Sequence, residues 1–282
     1  MSLQFKAPSL LEHFESLVGH DAGFPLLETA ASLALDACPT LDLQDVLHQV
    51  DQLVARLRQS LPAGSSPMQR TYLLNEFFYE KLGFAANHND FLSPDNSYMH
   101  CVLQTRRGIP ISLAVLWMEL AGALDLKVEG ISFPGHYMVK VYVDEGIIIQ
   151  DPLTGRGMTQ AMLQERLEPY RSNWGVSPEE MAPLHLFLQP ATPRETIERM
   201  LRNLRNVYDT VDQQPLLLGV LDRLIVLQPH DWASWRDRGL LLAHMGLREA
   251  ALHDLQTYVQ HAPTPQDLPL IEARIELLRA EG

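Results

Sequence analysis

The stretch Arg107-Gly108-Ile109-Pro110-Ile111-Ser112-Leu113-Ala114 decides the fold. Gly108 makes a turn, and Pro110 suits the first position of a helix, where its missing N–H costs nothing. From Ile111 to about Leu124 almost every residue is apolar. Such a helix has no face for water and belongs at the centre of a core. After it the period changes. Val128–Phe133, Tyr137–Val143 and Ile147–Gln150 are short and rich in Val, Ile and Tyr. Pro134-Gly135 and Asp144-Glu145-Gly146 separate them, which predicts a small antiparallel sheet packed on the helix.

Toward the N-terminus, Asn87–Asn96 is polar and punctuated and reads as a loop, with a short helix over Ser97–Thr105 after it. A helix over Met68–Leu82 is expected to stop at Gly83. Pro62–Pro67 is a turn-rich break. Asp42 has the character of an N-cap for a helix on which Leu43, Val46, Val50, Leu53 and Leu57 share one face. Pro25 opens a Leu- and Ala-rich helix over Leu26–Ala37, and Leu10, Phe14 and Val18 recur at helical spacing.

Toward the C-terminus, a helix is expected around Thr159–Leu167. An irregular stretch from Glu168 to Pro193, holding Trp174-Gly175, Pro178, Pro183 and Pro190, marks a boundary. Beyond it the pattern is helical, and Pro229 and Pro263 stand 34 residues apart, the tetratricopeptide period. Trp235, Gly239, Leu242, Gly246, Ala251, Leu255 and Tyr258 fall near that repeat's large, small and aromatic positions. A more degenerate repeat precedes it, with Leu201, Arg205, Leu217, Leu221 and Leu224. The expected organisation is an N-terminal helical extension over 1–65, an α+β core over 66–190 and helical repeats over 191–282.

At 46% hydrophobic and 20% charged, the 282 residues can build a substantial core. The net charge of −13 argues against nucleic acid and against anionic membrane surfaces as partners. Ile111–Leu124, the longest apolar stretch, contains Glu119 and is shorter than the ~20 residues of a membrane span. Met1–Leu10 lacks a signal-peptide pattern. With Cys38 and Cys101 its only cysteines, the chain is expected to be cytoplasmic with reduced thiols.

Pro134-Gly135-His136-Tyr137 and Asp151-Pro152 complete a constellation with the Gly108 turn. The chain is similar to the SirB-type family of bacterial transglutaminase-like proteins, in which such a core precedes tetratricopeptide repeats. The matching residues are Leu74-Asn75-Glu76-Phe77-Phe78 with Leu82-Gly83-Phe84, Asn96-Ser97-Tyr98, Val102-Leu103, Arg107–Leu113, Pro134-Gly135-His136 and Asp151-Pro152. The resemblance covers roughly residues 40 to 280 and is strongest between 70 and 155. The resemblance implies a papain/transglutaminase-like core, where a nucleophile sits at a helix N-terminus, a His takes its proton and an Asp orients the imidazole. By that resemblance His136 matches the catalytic His and Asp151 its Asp. The cysteine is expected two residues after Gly108, and that residue is Pro110, which carries no nucleophile.

Ser112 could supply a hydroxyl to His136, or it could bond the backbone of its own first turn. Cys101 is a second candidate thiol, or a buried structural one. His136 can also simply tie a turn to a carboxylate, and Asp-Pro is a common turn initiator. Asn96, Pro110, Gly135 and Tyr137 are the accompanying binding candidates. His88, His100 and His136 lack the paired spacing of zinc ligands, and Asp90, Asp95 and Asn96 do not follow the calcium-loop pattern, so no metal or cofactor is expected. The reading is a non-catalytic binding or regulatory protein with a protein or peptide partner. The alternatives are a hydrolase or acyltransferase using Ser112, His136 and Asp151, and a structural assembly component.

Overall fold

A computed structural model of the chain describes residues 8–19, 23–90, 92–174, 183–262 and 266–280. The helices of the first half are α1 (Leu10–Val18), α2 (Leu26–Ser32), α3 (Leu43–Gln59), α4 (Pro67–Asn75), α5 (Met99–Thr105) and α6 (Pro110–Gly122). The strands are β1 (Ala85–Ala86), β2 (Arg107–Gly108), β3 (Val128–Ile131), β4 (Met138–Val143) and β5 (Gly146–Gln150). Then come α7 (Gln160–Trp174), α8 (Pro193–Thr210), α9 (Gln214–Leu227), α10 (Trp232–His244), α11 (Arg248–His261) and α12 (Leu268–Ala280). The described residues fall into two compact units. A core unit takes 22–34 and 38–200, and a repeat unit takes 1–21, 35–37 and 201–282.

The core unit is organised around α6, as its composition requires. Ile111 to Trp117 are all buried, along with Leu120 and Ala121. The helix is packed by α2, α3, α4 and α5 and by β3 and β4. Asp42 caps α3 through the N–H groups of Gln44 and Asp45. Ser66 and Gln69 form a capping box at α4, with Pro67 at its first position. β3, β4 and β5 form the expected antiparallel sheet, with Ile131 opposite Met138 and Val139 opposite Gln150.

Four elements differ from expectation. The helix predicted over Leu26–Ala37 ends at Ser32 and gives way to turns over 33–37. The helix predicted over Met68–Leu82 is α-helical only to Asn75 and continues as a π-helical turn over Glu76–Lys81, stopping at Gly83 (φ +72°) as expected. The helix predicted to end near Leu167 runs on to Trp174 through Pro169, carried by the burial of Leu163 and Leu167 against Ile131, Phe133 and Met138. Ala85–Ala86 pairs in parallel with Arg107–Gly108, a ladder too short to leave a sequence periodicity. The readings at Gly175, Pro178 and Pro263 lie outside the described residues.

The N-terminal residues divide between the units. α2 and α3 pack on α6 in the core unit, while α1 packs on α9 in the repeat unit. In the repeat unit α10 and α11 form the tightest helix pair. A Cβ on Gly239 would come within 2.8 Å of Leu255, so only glycine allows this approach. Leu242, Ala251, Leu255 and Tyr258 are buried with Ile271, Ile275 and Leu278 of α12. Of the repeat positions read from the sequence, Gly239, Leu242, Ala251, Leu255 and Tyr258 are packing positions, whereas Trp235 is half-buried and Gly246 is an exposed turn residue.

Candidate functional site

Pro134-Gly135 is a turn of the type II pattern. The His136 N–H donates to the Phe133 carbonyl (3.1 Å), and Gly135 takes φ +66°. Glycine is required twice here, since a Cβ would also fall 1.5 Å from the Tyr170 hydroxyl. The turn delivers His136 to the start of β4. Because Val139 lies opposite Gln150, the residue just past β5 returns to the same place. That residue is Asp151.

The two side chains meet. His136 Nε2 is 3.0 Å from Asp151 Oδ1, and the residues are only 8% and 6% exposed. Oδ1 also accepts the Leu153 N–H (2.9 Å), the local turn that Asp-Pro sets up, and Oδ2 accepts from Arg166 Nη2 on α7 (3.2 Å). Burial pushes the Asp151 carboxyl upward. The hydrogen bonds from His136 and Leu153 and the charges of His136 and Arg166 outweigh it, holding Asp151 below the usual carboxylate range. An ionised Asp151 at Nε2 selects the tautomer protonated there and leaves Nδ1 as the basic nitrogen. Nδ1 makes no hydrogen bond among the described residues.

A polar strut behind this pair escaped sequence reasoning. Asn75 accepts from Trp117 Nε1 (2.9 Å) and donates to Gln150 Oε1 (2.9 Å) and the Gly155 carbonyl (3.2 Å). It ties α4 and α6 to the turn that carries Asp151. The Tyr79 hydroxyl donates to the Pro152 carbonyl (3.0 Å). Burial, then the charge of Asp151, push its pKa far up, so it stays a donor. Gly155 (φ +70°) lets the Tyr79 ring approach the turn, at 2.4 Å from where a Cβ would be. The available signal was Asn75 itself, a polar amide between the apolar pairs Leu73-Leu74 and Phe77-Phe78.

The start of α6 is occupied differently. Pro110 takes the first helical position. Ser112 is fully buried, and its hydroxyl donates to the Asn96 carbonyl (2.6 Å) and accepts from the Ile109 N–H (3.1 Å). Ser112 and His136 are not hydrogen-bonded. Of the predicted set, the structure brings together His136 and Asp151 and holds Ser112 in the main chain. Asn96 is a clamp as well, accepting from Asn87 (3.0 Å) and donating to the Asp90 carbonyl (2.7 Å). Tyr137 is buried with its hydroxyl 2.8 Å from Thr196 Oγ1, and burial pushes it up to about 12. The Cys101 thiol is pushed up to about 12 by burial and then by Asp95, so it stays protonated at neutral pH. Among the described residues no three metal-ligating side chains converge, and no helix is long and apolar enough to cross a membrane.

Comparison with known proteins places this geometry. The family described as the transglutaminase-like superfamily matches residues 44–202, and tetratricopeptide repeat matches residues 204–276. A UPF0162 protein of Xylella fastidiosa (strain Temecula1) is 36% identical over 258 residues, covering 90% of this chain and 90% of its own. A UPF0162 protein of Pseudomonas aeruginosa is 30% identical over 231 residues, 82% of each chain. Among solved structures, the crystal structure of menin aligns with 89% of this chain and 68% of its own at a TM-score of 0.42 and 10% identity, too distant to argue from. The chain therefore belongs to the transglutaminase-like superfamily and, within it, to the UPF0162 proteins, and it carries tetratricopeptide repeats behind its core.

Proposed function

We propose that this chain is a non-catalytic, regulatory transglutaminase-like protein that engages a protein or peptide partner. One observation carries the reading: the base half of the site stands while the nucleophile half is missing. His136 and Asp151 are hydrogen-bonded, but α6 opens on Pro110 and the Ser112 hydroxyl is spent on backbone partners. Acyl transfer needs a nucleophile in hydrogen-bond reach of its base, and the described geometry offers none.

The repeats support the partner. Stacked helix pairs of this kind present a concave surface to peptides. In the repeat unit α8, α9 and α10 enclose a groove of about 330 Å³ lined by Tyr208, Asp209, Asp212, Leu217, Leu240 and His244 among others. A photocrosslinking residue at Leu240, in the groove, is compared in cells with one at Leu277, exposed on α12. A discrete product from Leu240 alone, lost with Asp209→Lys, is expected. Equal or absent products at both positions count against the binding reading. Separately, fluorophosphonate labelling that disappears in Ser112→Ala would restore the enzyme.

A further inference from the structure

Arg107 is partnered through Nη1, which donates to the carbonyls of Gly83 (2.8 Å) and Arg106 (2.9 Å). Its neighbour Arg106 is not. Arg106 follows α5 as its C-cap at φ +60°, ψ +23°, a left-handed conformation that suits glycine and strains a long side chain. The guanidinium lies 4.8 Å over the Phe84 ring. Its Nη1 is buried with no hydrogen-bond partner, and no carboxylate pairs with it among the described residues. Arg56, near the end of α3, likewise has no carboxylate partner among them and lies 5.7 Å over Phe77.

The two guanidiniums share one small cavity. Arg56 and Arg106, with Gln49, Gln52, Leu53 and Leu103, enclose about 130 Å³, and no carboxylate lines it. Gln49 and Gln52 have their amide nitrogens turned to Asp45 and His48. Burial, and then the like charge of Arg56, hold Arg106 below the usual guanidinium range. A left-handed backbone, a buried donor without an acceptor and two cations facing one space are each unfavourable alone. A single anion between them removes two of these costs and gives the third a purpose.

We propose that this cavity between α3 and the end of α5 is a binding site for a phosphate-type oxyanion, held by Arg106 Nη1 and Arg56. Guanidinium forks match tetrahedral oxyanions, donating paired hydrogen bonds as well as charge. The space, about 130 Å³, has room for one phosphate group. The net charge of −13 repels polyanions in general, so a small ligand drawn by local donors is favoured over nucleic acid.

The test uses the full chain, titrated with inorganic phosphate against sodium chloride at matched ionic strength while the melting temperature is followed. A ligand bound only by the folded state raises that temperature saturably. The rise is expected in the wild type and lost in both Arg56→Gln and Arg106→Gly. Glycine fits the backbone at 106, and Arg56 is exposed, so the two variants keep the fold for independent reasons. Phenyl phosphate in place of inorganic phosphate separates the sources. An equal or larger rise assigns the site to phosphate monoesters, and a rise with inorganic phosphate alone assigns it to the free ion. No saturable rise with either compound, or an undiminished rise in both variants, overturns the proposal.

Discussion

The arginines of the repeat unit and the two at the α3–α5 cavity of the core unit are partnered differently. In the repeat unit, arginines close on aspartates. Arg238 binds both oxygens of Asp254 (2.6 and 2.9 Å) and reaches Asp222 (2.8 Å). Arg236 spans Asp237 and Asp267, Arg202 meets Asp231, Arg205 meets Asp237, and the buried Arg223 meets Asp36 through Nη1, its Nε and Nη2 being buried without a hydrogen bond. Burial works against the charge of Arg236 and Arg238, but these carboxylates more than compensate and raise both above the usual guanidinium range. In the core unit, His136 keeps Nδ1 unbonded, and Arg56 and Arg106 face each other across a cavity. Charge that is closed on itself holds helices together. Where the guanidiniums of Arg56 and Arg106 lack carboxylates, the proposed external anion stands in their place.

The largest effect that follows is in the repeat unit. Arg238→Ala leaves Asp254, 2% exposed, without its bidentate partner. Unfolding free energy should fall by about 3–5 kcal/mol, because an uncompensated buried charge is left behind. Urea denaturation followed by far-UV circular dichroism measures it. A loss under about 1 kcal/mol would mean that the pairing is not structural, and the comparison breaks.

Asp151→Asn is expected to cost less, about 1–3 kcal/mol at neutral pH, the range for removing a charged partner from buried hydrogen bonds. Its signature is a pH dependence. Asp151 is held below its ordinary value in the folded state, so its contribution is complete above the unfolded carboxylate pKa of about 4 and disappears as pH falls through the lower folded value. Wild-type and Asn-variant melting curves should therefore converge in that acid window. A gap that persists unchanged through it would assign the loss to packing.

His136→Ala is the smallest of the three. Asp151 retains the Leu153 N–H and Arg166, so a loss of about 1 kcal/mol or less is expected by thermal melting. A loss equal to that of Asp151→Asn would make His136 a structural residue and close the one open end of the dyad.

Much of this was legible in the chain. The apolar run of α6 has no amphipathic face, so its central place follows from composition, and the Val- and Ile-rich segments around Pro134-Gly135 could only be strands. The meeting of His136 with Asp151 follows from hairpin register once β4 and β5 pair. What stayed hidden depends on contacts distant in sequence. The Ser112 hydroxyl is taken by the Asn96 carbonyl, sixteen residues upstream. Arg166 reaches Asp151 from a helix that passes through Pro169, where local rules end helices. Asn75, Tyr79 and Arg106 carry no local pattern that names their partners.

The π-helical turn at Glu76–Lys81 has a further bearing, on which changes of length the chain can absorb. One residue is about 100° of rotation around a helix, and a π-turn holds one residue more than the α-helix it interrupts. Asn75 just before it and Tyr79 within it both lie against the Asp151–Gly155 turn. Deleting a single residue there would restore an ordinary helix and swing one of these side chains away from its partner, although no contact residue had been altered. In this segment the number of residues, and not only their identity, is under constraint.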